Sequence, residues 1–288
     1  MVNTLLMTDG KNAASSTAGS STGSYLIPHV LYNQLVMAVR RDLVLSGLAA
    51  MRFGPSSIPG SAITIPRQTA STLNINRVAE GAEFPKDAEE YSSLTLTPVK
   101  YGVNIGVSDE MEEDSLFDVL RMNIDKAGYE MAVNEESLII TALDAASTAA
   151  SQNVANSNAT LPVTDITQAI QYLRTNNYNP TDFIIGAELE NDIYNIDTFT
   201  EADKSGMNNP SNRLIGRIAG MNVIVSNAVS AKLGYVIDRR HAFVIAEKRP
   251  LTIRTYDDVG RDMRHAVVSQ RVSVSALRNE AVSEITTT

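Results

Sequence analysis

The sequence predicts an α+β fold from three patterns. Short stretches near residues 63 and 94 alternate apolar and polar residues, as strands with one buried face do. One later apolar series repeats every three or four residues for about 33 residues, which is the period of a single long helix. Beyond residue 160, short helix and strand patterns follow one another to the C-terminus.

The composition supports a folded protein and excludes several classes of function. Of the 288 residues, 43% are hydrophobic and 20% charged, which is enough apolar material for a core. The absence of cysteine excludes disulfides, thiolate zinc sites, iron–sulfur clusters and cysteine nucleophiles. A net charge of −9 argues against a nucleic-acid binder, which needs a cationic face. No segment has the pattern of a signal peptide or a membrane span, so a cytoplasmic compartment is expected.

The first 60 residues predict an arm followed by a helix. Residues 1–27 are mostly small and polar, and such a stretch cannot offset the entropy lost on ordering, so a flexible arm is expected. From Pro28 to about Gly47, apolar residues recur at helical spacing, with the proline near the first turn. Residues 28–60 are therefore predicted to contain a helix and its connection.

Residues 61–97 predict a long, thin hairpin. Ile63 and Ile65 alternate with polar residues in one arm, and Leu94 and Leu96 do so in the other. With about 14 residues per arm it would reach roughly 45 Å. The hairpin has no core of its own, and an isolated ribbon is marginal in water, so it is expected to lie on another surface.

A strand and a long helix are predicted next. After Pro98 an alternation places four apolar residues on one face: Tyr101, Val103, Ile105 and Val107. Ser108 is predicted to cap a short acidic turn, and Ser115 with Asp118 resembles a capping box ahead of the long helix. That helix would be about 50 Å long and would act as a spine.

The second half predicts a separate mixed domain. Residues 147–160 have the low complexity of a linker, and Asp165 can cap a following helix. Residues 198–212 predict a long polar loop, and Leu189 begins a short helix. Strands are predicted at residues 183–185, 221–225, 235–237, 242–246, 251–255 and 266–276.

No motif predicts catalysis, a metal or a cofactor. The three histidines, His29, His241 and His265, stand in unrelated contexts and are interpreted as surface or capping residues. The acidic run at 109–114 lacks the spacing of a calcium loop and suits a helix N-terminus. The glycines of residues 216–220 favour a hairpin or bulge over a phosphate cradle, and Asp257-Asp258 favours a turn.

The predicted arm, hairpin and long helix suggest self-assembly, because a single compact chain has no need of such extended elements. A monomer of this mass buries about three quarters of its unfolded surface, and extended appendages forfeit that burial. Repeated copies in closed symmetry would restore it.

An ordered series of motifs carries a resemblance to a known family. The motifs are GSYLIPH (23–29), ITIPR (63–67), VAEGAEFP (78–85), LTLTPVK (94–100), VSDEMEEDS (107–115), NYNPTDFII (177–185), GMNVIVSN (220–227) and SQRVSVSALRNEA (269–281). From residue 23 to the C-terminus the sequence resembles the major capsid proteins of tailed double-stranded DNA viruses, which have the Hong Kong 97-type fold.

The resemblance implies a domain plan and a set of partners. Residues 1–27 would be the arm, 28–60 a helix and connection on the P-domain side, 61–91 the E-loop, 92–150 the P-domain strand and spine helix, 151–249 the axial A-domain, and 250–288 strands returning to the P-domain. The chain would form pentamers and hexamers of an icosahedral shell, assembled in the host cytoplasm around double-stranded DNA that it does not read. With Met1 as the native start, scaffolding would come from a separate protein, and a portal is a further implied partner.

Particular residues are candidates for contacts between copies. The charged candidates are Arg67, Arg77, Glu80, Glu83, Lys86, Arg239 and Arg240, for which simple solvation is the alternative. Some relatives join an E-loop lysine to a neighbour's asparagine with the help of a carboxylate, which would assign those roles to Lys86, Asn279 and Glu280. The carboxylates around Lys86 oppose this, because they favour the protonated amine over the neutral nucleophile.

Two other functions are open at this stage. An encapsulin-like compartment shares the fold and suits the length, although such proteins begin with a helix where this chain has a polar arm. A soluble α/β enzyme would need convergent titratable groups that the sequence does not offer.

Overall fold

A computed structural model describes residues 43–68, 75–81, 83–84, 86, 88–115, 118–157, 160–196 and 214–287. The predicted arm (1–27), most of the first predicted helix and the predicted loop at 198–212 lie outside these residues. Helices and strands occur in mixed order, so the predicted α+β class is confirmed.

The described residues form four α-helices and twelve strands. The helices are α1 (Asp109–Asp114), α2 (Val119–Ala150), α3 (Val163–Thr175) and α4 (Leu189–Tyr194). The strands before α3 are β1 (Met51–Phe53), β2 (Ile63–Gln68), β3 (Tyr91–Leu96), β4 (Val99–Ser108) and β5 (Asn153–Asn156). The later strands are β6 (Asp182–Ile185), β7 (Leu214–Ile218), β8 (Met221–Val225), β9 (Leu233–Ile237), β10 (Phe243–Asp258), β11 (Met263–Ala276) and β12 (Val282–Thr287).

A six-stranded sheet in the order β5-β12-β9-β6-β8-β7 separates two cores. Successive residues of a strand point to opposite faces, so β6 contributes to both cores. Phe183 and Ile185 pack with α3 and α4 on one side. Ile184 packs on the other side with Ile139 and Leu143 of α2. Strands buried on both faces need continuous apolar runs, and residues 183–185 supply one.

A four-stranded sheet in the order β1-β10-β11-β4 carries the other half of α2. Ala127 and Met131 of α2 pack on Val268 of β11. About two turns nearer the helix start, Leu120 packs with Val107 and Ala266. The same helix therefore fixes the positions of both sheets.

The helix α2 has the predicted length, but its cap differs. Its 32 residues span about 48 Å, so the predicted long helix is confirmed. Asp118 is the N-cap and its side chain accepts from the Arg121 N–H at 2.9 Å, whereas Ser115 lies at the end of α1. As predicted, Ser108 caps α1 through the Met111 N–H, at 3.4 Å.

The predicted linker at 147–160 is wrong. The helix α2 continues to Ala150, and β5 pairs in parallel with β12 and buries Val154 to 4% exposure. Asp165 does not cap α3, whose N-cap is Pro162; instead its Oδ2 accepts from Asn156 Nδ2 at 2.6 Å. β5 is stabilised by one buried valine and by hydrogen bonds to the edge of β12. Its own sequence therefore shows almost no strand pattern.

The strands predicted at 242–246 and 251–255 are one strand, β10. Its pairing with β11 is irregular between Glu247 and Thr252, which accommodates Pro250 without ending the strand. The predicted boundary between residues 249 and 250 therefore falls inside β10. β12, which lies in the segment predicted to return to the P-domain, pairs with β5 and β9 in the six-stranded sheet.

Candidate assembly surfaces

The hairpin is anchored to the body of the fold at its base. β2 and β3 pair antiparallel, from Ile63 opposite Leu96 to Gln68 opposite Tyr91. The apolar face of this ribbon packs against Ala246 of β10 in a small core that also contains Phe53, Ile58, Ile63, Ile65, Leu94 and Leu96. On the other face the Thr64 and Thr95 hydroxyls lie 3.2 Å apart.

The paired part of the hairpin is shorter than the sequence predicts. Each arm pairs over six residues, where the sequence predicts about 14 residues of extended arm. The described residues between 75 and 90 form no strand. They lie beyond the small core at the base, and a ribbon without such support is marginal in water.

Large apolar side chains on this segment face solvent. Ile75 is 94% exposed, Phe84 78% and Tyr91 74%. Large exposed apolar groups of this kind are candidates for contact with a partner. These residues were not among the charged candidates that the sequence predicted. Their signal in the sequence is that large apolar residues occur in a polar stretch that has neither the strand nor the helix period.

The charged candidates on the hairpin lie in two settings. Four of them are exposed: Arg77, Glu80, Glu83 and Lys86. Glu83 and Lys86 form an ion pair at 3.4 Å. Arg67 is half-buried, and its Nη1 donates to the Leu277 carbonyl at 2.9 Å. Arg67 therefore fastens the ribbon to the residue that follows β11.

The basic pair Arg239-Arg240 lies in the turn between β9 and β10. The Arg239 guanidinium donates to the Gly47 carbonyl, and the Arg239 N–H donates to the Thr181 hydroxyl at 3.0 Å. The Arg240 side chain is exposed and has no ion pair within the part of the chain that the structure describes. Arg239 thus holds its own chain together, while Arg240 is available to a partner.

The candidate cross-link residues occupy separate elements. Lys86 lies on the hairpin, whereas Asn279 and Glu280 begin the short 3-10 turn Asn279–Ala281 between β11 and β12. Asn279 is half-buried and Glu280 is exposed. Among the described residues, the ion pair of Lys86 is with Glu83 and not with Glu280. A lysine–asparagine bond stays a prediction about neighbouring copies.

The two described histidines have structural partners. His241 Nδ1 lies 3.0 Å from Asp238 Oδ2, and its ring meets Tyr178 edge-on. His265 stacks on Tyr256 with ring centroids 4.8 Å apart. Within the described ranges, no group of three or more His, Cys, Asp or Glu side chains could hold a metal ion. His29 lies outside those ranges.

The glycine and aspartate motifs form turns, as predicted. Ala219 and Gly220 connect β7 to β8 with φ of 51° and 88°, and the ladder is irregular at Gly216. Asp258 accepts from the Gly260 N–H at 3.2 Å in the turn between β10 and β11. Even the longest described helix, α2, lacks an apolar stretch that would cross a membrane.

A buried carboxylate lies where α2 meets the six-stranded sheet. Glu284 Oε2 accepts from the Ser147 hydroxyl at 2.9 Å, and Oε1 accepts from the Thr286 hydroxyl at 3.1 Å. Burial raises the pKa of Glu284; the two hydroxyl hydrogen bonds oppose this effect, and nearby Asp144 adds to it. The sequence did not reveal this group.

Replacing Glu284 with glutamine should stabilise the chain at neutral pH. With a raised folded-state pKa, the folded form binds more protons than the unfolded form, so stability falls as pH rises from about 4.5 through the raised value. Glutamine keeps the shape and removes that dependence. Urea unfolding of the unassembled chain between pH 5 and 8 should give a midpoint that falls more with rising pH for the wild type than for Glu284→Gln. Equal slopes would contradict the assignment, and Glu280→Gln, at an exposed site, is the control.

The sequence matches the family model for phage capsid proteins over residues 90–279. The chain belongs to the phage capsid protein family. The match runs from the second arm of the hairpin through α2 and both sheets to the turn before β12. None of the curated proteins compared with the sequence matches it.

Solved capsid structures share the fold of this phage capsid protein. The capsid structure of cyanophage P-SCSP1u superposes with a TM-score of 0.73 at 14% identity, covering 98% of this chain and 99% of that one. A structure from Mycobacterium phage Che8 gives 0.72 at 14% identity, covering 90% and 96%. The mature capsid of bacteriophage PhiM1 gives 0.72 at 13%, covering 98% and 99%. The predicted Hong Kong 97-type fold is therefore confirmed.

This membership settles the class of function. The phage capsid protein is a structural component of the virion shell, where copies of it associate with one another.

Proposed function

We propose that this phage capsid protein assembles through pentamers and hexamers into an icosahedral shell that encloses double-stranded DNA. The observation that carries the proposal is the hairpin. Only six residues of each arm are paired, and Ile75, Phe84 and Tyr91 are exposed to solvent. Covering these groups takes a second surface, and closed symmetry supplies the same surface to every copy.

The proposal assigns roles to the parts of the fold. Residues 61–91 serve as the E-loop, α2 with the four-stranded sheet as the P-domain, and the six-stranded sheet with α3 and α4 as the A-domain. Four exposed hairpin residues, Arg77, Glu80, Glu83 and Lys86, together with Arg240, meet charges on neighbouring copies. Because the chain is acidic, the shell encloses DNA without gripping it. A separate scaffolding protein and a portal act with it in the host cytoplasm.

Particle formation by the full chain tests this function. We expect recombinant protein, with its scaffolding protein if needed, to elute as particles and to show closed icosahedral shells in electron micrographs. Encapsidated nucleic acid favours the virion role, whereas a co-purified enzyme would favour a cellular compartment. A chain that stays at 31.1 kDa at every concentration and with scaffolding would overturn the proposal.

A further inference from the structure

Among the described residues, one edge of the four-stranded sheet has no strand paired to it along most of β10. β11 pairs with β10 along its whole length, from Phe243 to Asp258. On the opposite side, β1 covers only residues 244–246. Within the described ranges, no strand continues that pairing beyond Ala246. Unpaired backbone N–H and C=O groups along such an edge can accept a further strand.

Protection of this edge is confined to its first part. Between Glu247 and Thr252 the ladder is irregular, Pro250 removes one donor, and the Lys248 ammonium donates to the Gly60 carbonyl. Bulges, prolines and lysines are the usual means of blocking an edge. From Thr252 to Asp258 the pairing with β11 is regular, so this stretch is free of these devices.

The side chain that could shield the regular stretch lies across the sheet instead. Tyr256 stacks on His265 with an interplanar angle of 9°, and its hydroxyl accepts from Asn104 Nδ2 at 3.1 Å. Asn104 belongs to β4, two strands away, so the tyrosine points away from the open edge. Gly106 makes this possible, because a Cβ there would lie 2.7 Å from the His265 ring.

Several self-pairings of this stretch are unfavourable. Two copies of β10 could pair antiparallel about a two-fold axis. Opposite residues in such a pair share a face, so each possible register is defined by the one residue that lies on the axis, opposite its own copy. Centring on Arg254 or on Asp257 would place like charges opposite each other. Centring on Thr255 would put Ile253 opposite an aspartate. Centring on Ile253 would carry the pairing into the irregular stretch that contains Pro250.

Centring on Tyr256 makes the two copies complementary. Arg254 is exposed and has no hydrogen bond or ion pair to any described residue. In this register Arg254 of each copy would lie opposite Asp258 of the other, which gives two opposite-charge pairs. Just beyond these residues, Ile253 would approach Val259 in the turn after β10 of the other copy, and the two residues are 48% and 90% exposed. Opposite-charge and apolar cross-strand pairs each favour this arrangement.

We propose that two copies of this chain join antiparallel along residues 254–258 of β10, about a two-fold axis at Tyr256. The two four-stranded sheets then form one continuous sheet with an α2 helix from each copy on the same face. This contact rests on the proposed function, since it would link neighbouring subunits of the shell, and it adds a defined surface and register to it.

Single cysteines in this cysteine-free chain test the register. Opposite Cα atoms of an antiparallel pair lie about 4.5–5.5 Å apart, within disulfide range. Tyr256→Cys should therefore give, on a non-reducing gel of oxidised particles, a band at twice the 31.1 kDa monomer. Lys100→Cys, exposed on the opposite edge of the same sheet, should stay monomeric.

A second pair of variants keeps Tyr256 in place. Thr255 lies opposite Asp257 in the proposed register, so Thr255→Cys and Asp257→Cys should cross-link when co-expressed and not when each is expressed alone. Arg254→Asp should reduce the cross-link about tenfold, and adding Asp258→Arg should restore it.

The outcomes separate this inference from the proposed function. Particles without these cross-links would overturn the inference and leave the shell function standing. Without particles the shell proposal fails, and the unassembled chain at high concentration then decides the contact: a cross-link at Tyr256→Cys supports it, and none overturns it.

Discussion

Replacing Phe84 with aspartate should reduce the yield of assembled particles at least tenfold while leaving the stability of the single chain unchanged. Phe84 is 78% exposed in one chain, so its truncation removes little from the folding free energy. Its burial against a neighbour would contribute about 2 kcal/mol per contact. That is about a 30-fold change in each contact's dissociation constant, and a closed shell repeats the contact in every subunit. Sedimentation of particles measures the yield, and urea unfolding of the unassembled chain measures the stability.

Two further variants sharpen this test. Ile75→Asp, at a side chain that is 94% exposed on the same segment, should act in the same direction. Val163→Asp is the matched control: it adds the same charge at a 40% exposed apolar residue in the first turn of α3, where a carboxylate suits the helix dipole. Normal particle yield from Phe84→Asp would show that the hairpin's apolar groups are not covered on assembly.

The sequence predicted those elements whose stabilising contacts repeat at regular spacing. The helix α2 was predictable because its buried residues, such as Ile139 and Leu143, recur at helical intervals along 32 residues. The central strand β6 was predictable because both its faces are buried. In these elements the local pattern and the packing agree.

Elements stabilised by distant partners escaped prediction. β5 depends on the edge of β12, which lies about 130 residues later in the chain, and only Val154 signals its burial. The alternating residues of the hairpin pack on Ala246, far outside the hairpin, at its base only, so the alternation within the arms did not reveal the paired length. Arg67 and Arg239 look like surface charges in sequence, yet both bind carbonyls of their own chain.

The buried Glu136 is the clearest case of a polar group placed by tertiary structure. It lies on the apolar stripe of α2, three residues before Ile139, and is 1% exposed. Its Oε1 accepts from the Val44 N–H at 2.5 Å and from the Leu45 N–H at 2.9 Å. These N–H groups open the 3-10 turn Leu45–Leu48, and the N-cap residue Val44 offers no side-chain cap. Glu136 therefore caps, from across the fold, the segment that leads into β1.

Glu136→Ala should be the most destabilising single change to this anchor. It removes two hydrogen bonds to a carboxylate and leaves two backbone donors without an acceptor, a loss of about 3 kcal/mol. At about 2–4 °C per kcal/mol, the unfolding temperature of the unassembled chain should fall by about 6–12 °C. Glu136→Gln keeps an oxygen that can accept from both donors, so its loss should be nearer 1 kcal/mol.

The adjacent glutamate supplies the matched control. Glu135 precedes Glu136 in the same helix, but its side chain is 12% exposed and pairs with the 43% exposed Arg52 at 3.1 Å. Removing it leaves Arg52 with its second partner, Glu247, and no backbone donor unsatisfied, so Glu135→Ala should lower the free energy of unfolding by about 1 kcal/mol, less than Glu136→Ala. If the two alanine variants were equally stable, Glu136 would not anchor the segment. If only Glu136→Ala also lowered particle yield, the anchor would matter for presenting the hairpin, because residues 43–50 lead through β1 directly to β2.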